Sequence, residues 1–213
     1  MKKEGKSAGS TFGRRLPLRA ALRPWLTTAA FLVAMLAARA SLADHYHVPT
    51  GSMLPTVREG DHLLVNKLAY GLRLPLSQVY LAEADAPERG DVVVFDSPED
   101  GEVLLKRVAA VPGDRVEVRS GHLIVNGRPV PVESRDGRVY ERLGGVVHEL
   151  DLSRGGGPDW GPATIPPEHY LLLGDSRGNS RDGRIFGLVE RSAILGRALG
   201  VFLRDGRPTW QPL

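Results

Sequence analysis

The sequence contains no cysteine. That excludes a disulfide framework and any thiolate metal site, and it leaves the compartment open, because an exported protein can do without disulfides. Aromatic residues are few, 6% against 42% hydrophobic residues, a composition that is globular rather than disordered or collagen-like. The 213 residues suffice for one moderate domain and an appendage, with enough core to fold alone. Acidic residues are nearly missing from the first 43 positions, where Lys2, Lys3, Lys6, Arg14, Arg15, Arg19, Arg23 and Arg39 face Glu4 alone. Of 28 basic and 25 acidic residues in the chain, this leaves 20 and 24 for the remainder, a net charge of −4. A mildly acidic body has no broad electrostatic footprint for a phosphate backbone, which argues against a nucleic-acid partner. The basic character belongs to the tail, and such tails face a membrane or an export machinery.

Long hydrophobic runs are also scarce. Trp25–Ala38 carries no charge over fourteen residues, but as a helix it would span only ~21 Å of a ~30 Å hydrocarbon core. Extension to Ala43 reaches the required length if Arg39 bends its guanidinium out to the headgroups. The basic flank before it then places the N-terminus in the cytoplasm and the body on the outer face. This reading divides the chain into a basic cytoplasmic tail (1–23), one transmembrane anchor (24–43) in the cytoplasmic membrane lipid, and a body (44–213). The same features, with small residues at Ser41 and Ala43, also describe a cleavable signal peptide.

From Asp44 onward the pattern is β. Apolar runs of strand length occur at His62–Val65, Asp91–Phe95, Val103–Val111, Arg115–Val118, Leu123–Val125, His169–Leu173 and Ala193–Phe202. Pro112-Gly113-Asp114 and the hairpin pair Asn126-Gly127 separate several of them. No long amphipathic helix is evident, so the body is expected to be mainly β. Residues 131–168 are richer in glycine, proline and charge and read as a long loop or inserted lobe, bounded at about 119–168.

Lysine is nearly absent from the body: after residue 43 only Lys67 and Lys106 remain, in a body that otherwise uses arginine. Arginine keeps its proton at any workable pH, so a neutral amine base has to be one of these two. Lys106 lies in the apolar stretch Val103–Val111 and, in a strand, shares a face with Leu104, Val108 and Ala110. Burial there would lower its pKa toward the operating range; taken from this strand alone, it equally reads as a lysine snorkelling at a sheet edge. Lys67 has less apolar company. In Pro49-Thr50-Gly51-Ser52-Met53-Leu54-Pro55-Thr56, prolines and a glycine around one serine fix the backbone and aim its side chain. Alone, this is also an ordinary turn. It is not a nucleophile elbow, since Thr50 and Leu54 stand where Gly-x-Ser-x-Gly needs glycine. Gly174–Arg184 comes directly after an apolar strand and mixes aspartates, arginines and glycines. No lysine completes a phosphate cradle and no glutamate closes a calcium loop, so it reads as a tight loop pinned by its own ion pairs.

Together, in this order, the three segments resemble the bacterial type I signal peptidases. Val48–Thr56 is similar to the serine box, Gly60-Asp61 and Asn66–Gly71 to the stretch after that box, and Arg89–Phe95 to the strand before the lysine. Lys106-Arg107 with Pro112–Asp114 is similar to the lysine box, and Gly174–Arg184 to the last box. The resemblance spans about Asp44 to Gly200. It implies an antiparallel β-sheet catalytic body of that kind behind one N-terminal transmembrane helix, and removal of signal peptides from exported preproteins after small residues. It implies Ser52 as nucleophile, neutral Lys106 as general base, and the Ser52 N–H with the Thr50 hydroxyl as oxyanion hole. Ser180 would orient the lysine, and Asp175, Arg177, Asp182 and Arg184 would brace the site. Val48, Met53 and Leu105 are the expected pocket walls. No metal or cofactor is implied. Thr50 stands where many relatives have serine, and Ser176, Gly178 and Gly183 replace polar residues common in the last box. A pilin-maturing peptidase of the same fold, a self-cleaving SOS-type Ser/Lys protease and an exported β-rich binding module remain as alternatives. His45 and His47, two apart without a third ligand, read as surface imidazoles.

Overall fold

A computed structural model describes residues 25, 28, 31, 43–73 and 80–213. The expected basic tail at 1–23 and most of the expected anchor at 24–43 lie outside the described residues, of which Trp25, Thr28 and Phe31 are helical. Among the described residues, no helix is long and apolar enough to cross a membrane.

The rest is mainly β structure, with a short α-helix at Gly183–Phe186 and three 3-10 turns among the described residues. Its strands are β1 (Ala43–His47), β2 (His62–Asn66), β3 (Gly71–Arg73), β4 (Tyr80–Glu83), β5 (Val92–Asp96), β6 (Val103–Ala110), β7 (Arg115–Arg119), β8 (His122–Val125) and β9 (Arg128–Pro129). The remaining strands are β10 (Val132–Arg135), β11 (Arg138–Leu143), β12 (Val146–Leu150), β13 (Trp160–Thr164), β14 (His169–Leu173), β15 (Val189–Glu190), β16 (Ile194–Arg204) and β17 (Arg207–Pro212). The largest sheet runs β1-β2-β16-β5-β6-β14-β15, with β17 beside β16, and its pairings are antiparallel. All seven strands read from the sequence are present, with ends within two residues of expectation.

Two cores explain why β5 reads as an unbroken apolar run. Side chains alternate across a strand, and here both faces of the sheet are covered. Val92 and Val94 pack with Leu63, Val65, Ala198 and Val201 on one face. Val93 and Phe95 pack with Tyr70, Val108, Tyr170, Leu172 and Ile194 on the other. β14 is shared similarly, its Leu171 and Leu173 entering a third cluster with Val116, Val118 and Leu123. β6 pairs with both β5 and β14, so Lys106, opposite Val93, is carried by a strand flanked on both sides by buried ones.

The region expected as a loop or lobe is more ordered than its composition indicates. β13-β7-β8-β9 form one sheet and β10-β11-β12 another. The β8–β9 hairpin turns on Asn126 and Gly127, both at positive φ (54° and 75°), as the expected Asn-Gly turn requires. β11 is hidden in the sequence because its buried face carries Glu141 beside Leu143. A strand that buries a carboxylate has no apolar alternation to read.

Phe95, 0% exposed, fills the centre of one core against Phe186, with ring centroids 6.0 Å apart. Phe95→Ala is expected to lower unfolding stability by about 3–5 kcal/mol, measured by urea denaturation.

Candidate active site

The serine stands on a turn fixed from both sides. Thr50 is extended (φ −137°, ψ 155°), Gly51–Met53 form a short 3-10 turn, and Leu54 N–H closes it onto Gly51 O at 3.1 Å. Met53 and Val57 are buried, anchoring the turn in the core below β1 and β2. Ser52 is 8% exposed and Lys106 3% exposed. Lys106 Nζ lies 2.9 Å from Ser52 Oγ and donates to Leu105 O, also at 2.9 Å. Burial pulls the lysine from its ordinary 10.5 down to about 8, against the opposing charges of Asp182 and Asp175. A buried amine that is readily deprotonated, in contact with a hydroxyl, can take up that hydroxyl's proton.

The loop after β14 surrounds this pair with forked ion pairs. Asp175 receives Arg107 Nε at 2.8 Å and Nη2 at 2.7 Å, and the Thr56 hydroxyl at 2.6 Å. Burial pushes the Asp175 carboxyl up, but the charge and hydrogen bonds of Arg107, together with His148 and the Thr56 hydroxyl, hold the group below the ordinary carboxylate range. Asp182 and Arg184 are likewise doubly bonded, at 2.8 and 2.7 Å, with both side chains fully buried. Asp182 also accepts the Gly174 amide at 3.0 Å, which folds the loop back on its start. Arg177 donates to Gly174 O at 3.2 Å and to Glu141 Oε2 on β11 at 2.7 Å. The expected bracing residues are thus all bonded, but across different partners. Asp175 pairs with Arg107, and Arg177 with Glu141.

Thr50 is exposed and lines a cavity of about 500 Å³ with Ser52 and Lys106. Ser180 Oγ is buried without a hydrogen-bond partner, so the expected bond to Lys106 is not formed in this structure. It is close by nonetheless: a Cβ on Gly174 would stand 2.3 Å from Ser180 Oγ and 2.5 Å from Ser52 O. Only glycine fits between the two serines. The expected pocket walls Val48, Met53 and Leu105 do not border this cavity. Val48 and Met53 belong to the buried core and Leu105 packs against it; none is among the residues lining the cavity, whose apolar wall is Leu104 and Phe186. Strand alternation is the reason for β6, since Leu104 shares the face of Lys106 and Leu105 points to the other side. His47 stands opposite His62 across the β1–β2 ladder, rings 5.2 Å apart.

Arg107, Thr56, Gly174 and Glu141 take part in the site without a role assigned to them from sequence. A charged residue next to Lys106 inside an apolar strand is the available signal for Arg107. Glu141, 36 residues from Arg177, offers none.

A model of the family described as "Signal peptidase, peptidase S26" matches residues 22–203. A signal peptidase I of Pseudomonas fluorescens is 36% identical over 200 residues, covering 83% of this chain and 70% of its own. One of Pseudomonas aeruginosa is 36% identical over 198 residues, covering 81% and 69%. A signal peptidase I of Leptolyngbya laminosa is 31% identical over 176 residues, covering 79% and 72%.

The lowered pKa of Lys106 has two readable consequences. Activity that needs the free amine should rise with pH through about 8, measured as kcat/KM against pH; an acid optimum would point to a carboxylate instead. Stability should respond as well. Between about 8 and 10.5 the unfolded chain holds more proton on this lysine than the folded one, so this group adds stability as pH rises through that window. In Lys106→Met, denaturant midpoints should lose that increment.

Proposed function

The chain belongs to the signal peptidase, peptidase S26, family, and from that premise we propose how its residues carry out the cleavage of signal peptides. It is a type I signal peptidase, a serine endopeptidase that removes N-terminal signal peptides from exported preproteins. The observation that carries the residue assignment is the 2.9 Å contact between buried Lys106 Nζ and Ser52 Oγ.

Ser52 Oγ attacks the scissile carbonyl while its proton passes to the neutral amine of Lys106. The developing oxyanion is held by the Ser52 N–H and the Thr50 hydroxyl, which caps no amide of its own turn and lines the cavity. Lys106, now an ammonium, returns the proton to the leaving amine, and water then releases the acyl-enzyme. An ammonium has three N–H donors, and Ser52 Oγ and Leu105 O take two. The unpartnered Ser180 hydroxyl is the acceptor suited to the third, which gives Ser180 its orienting role at the charged stage of the cycle. Leu104 and Phe186 form the apolar wall of the cavity and suit the small side chains that flank the cut.

The topology rests on charge. The eight basic residues before position 43 favour a cytoplasmic N-terminus, residues 24–43 serve as a single membrane anchor, and the β body works on the outer face.

Ser52→Ala and Lys106→Ala are each expected to abolish preprotein cleavage, and Lys106→Arg to fail with them because arginine keeps its proton. The double variant should be no worse than either single one, since the pair acts as a unit. Substantial cleavage by Lys106→Arg would remove Lys106 as the base. Cleavage of several unrelated preproteins supports the general activity; cleavage of one pilin-like precursor alone would narrow it to a maturation peptidase.

Thr50→Val removes one oxyanion donor at nearly constant shape. Turnover should drop on the order of 10²–10³-fold, in kcat rather than KM, while Thr50→Ser keeps most of it. A fully active Thr50→Val enzyme would assign that hydrogen bond to another group.

A further inference from the structure

The small sheet β10-β11-β12 is connected to the nucleophile by a short chain of hydrogen bonds. β12 ends at Leu150, and the next residue, Asp151, joins Ser176 in an isolated parallel bridge. The Asp151 amide donates to Asp175 O at 3.0 Å, and its carbonyl accepts from Arg177 N at 3.1 Å. The side chains add to this: Ser176 Oγ donates to Asp151 Oδ2 at 2.7 Å, while Asp151 Oδ1 accepts the Ser153 amide at 2.9 Å. On its other side, the Ser176 amide donates to the carbonyl of Ser52 at 3.1 Å. Ser176 is 0% exposed and Asp151 only half-buried. Two hydrogen bonds therefore separate a carboxylate at the edge of the body from the backbone of the catalytic serine.

Asp151 belongs to neither the dyad nor the forked ion pairs, yet each of its carboxylate oxygens accepts a hydrogen bond. A charged acceptor makes a shorter and stronger bond than a neutral one and fixes the rotamer of the hydroxyl it receives. Here that residue is the one whose amide holds the Ser52 peptide. The same edge carries the Glu141–Arg177 pair and His148, whose Nε2 lies 3.8 Å from Asp175 Oδ1. The seating of the small sheet is thus built into the loop that contacts the nucleophile. We propose that Asp151 is a positioning residue for the catalytic serine, acting through Ser176 to hold the Ser52 carbonyl and coupling the β10–β12 sheet to the aim of the nucleophile. This rests on the assignment of Ser52 as nucleophile.

The test is steady-state cleavage of a preprotein by the full-length protein in detergent. Asp151→Ala should lower kcat about ten- to a hundredfold, the scale of a small misplacement of a reacting group, with KM and the melting temperature little changed. Asp151→Asn keeps an acceptor oxygen for Ser176 and should restore most of kcat. Ser176→Ala should match Asp151→Ala, and the double variant should be no worse, as expected for two residues acting through one contact. The alkaline rise set by Lys106 should stay in place in all of them, whereas general loosening of the fold would move it. The proposal is overturned by wild-type kcat in Asp151→Ala, by equal losses in Asp151→Asn and Asp151→Ala, or by additive losses in the double variant. If Asp151→Ala does not fold, Ser176→Ala against Asp151→Asn decides the matter. When the wild type cleaves and Ser52→Ala does not, these outcomes bear on Asp151 alone; a wild type that cleaves nothing removes the underlying assignment.

Discussion

Keeping an amine neutral beside a hydroxyl is the constraint on which the rest of this structure depends. Water would hold Lys106 charged, so the lysine is buried in β6 with both neighbouring strands packed. Burial lowers its pKa and the fields of Asp182 and Asp175 oppose that, leaving it at about 8. A bare carboxylate a few ångströms away would raise an amine by about 1–3 pKa units. Each of these carboxylates is forked by its own arginine, Arg107 on Asp175 and Arg184 on Asp182. The arginines therefore hold the loop and fix where these two carboxylates stand relative to the lysine. Buried ion pairs contribute little net stability, because desolvation offsets their attraction. Their value here lies in setting one amine and in fixing geometry.

That setting needs a platform that does not give. β5 feeds two cores from alternate faces, and β14 does the same. Lys106 is thus fixed by packing on both sides of the sheet rather than by one contact. Ser52, the proposed nucleophile, is held differently. Its turn is pinned by Met53 and Val57 below, by Thr56 bonded to Asp175, and by Ser176 bonded to Ser52 O. Asp175 thus reaches both members of the proposed pair, through Arg107 next to Lys106 and Thr56 in the Ser52 turn. Gly174 is required by this closeness, since no side chain fits between Ser180 and Ser52 O.

Much of this was legible in the amino-acid order, and for stated reasons. Strand positions showed because apolar runs between turn residues reflect sheet burial directly, and the Asn126-Gly127 hairpin because its backbone demands φ > 0. Lys106 stood out as a candidate base because lysine is nearly absent from the body and one of the two present sits in an apolar strand, while its pairing with Ser52 was implied by the resemblance. The loop Gly174–Arg184 was recognisable as pinned by ion pairs because acids and arginines are mixed within it, though only Asp182–Arg184 of the expected pairs is internal to it. These are local signals: each depends on residues within one element.

Tertiary structure alone decided the pairings. Asp175 and Arg107 are 68 residues apart, and Glu141 and Arg177 are 36 apart; either carboxylate had several arginines available within the sequence. β11 was hidden because a buried Glu141 breaks the apolar alternation, and only its partner on another loop makes that burial tolerable. Val48 and Met53 were legible as apolar neighbours of the serine, but whether such residues face the cavity or the core depends on how the turn is seated. Sequence determined which groups could do the chemistry, since protonation and strand propensity belong to residue types. The fold decided which of them meet, because contact across many residues is set by packing and not by order.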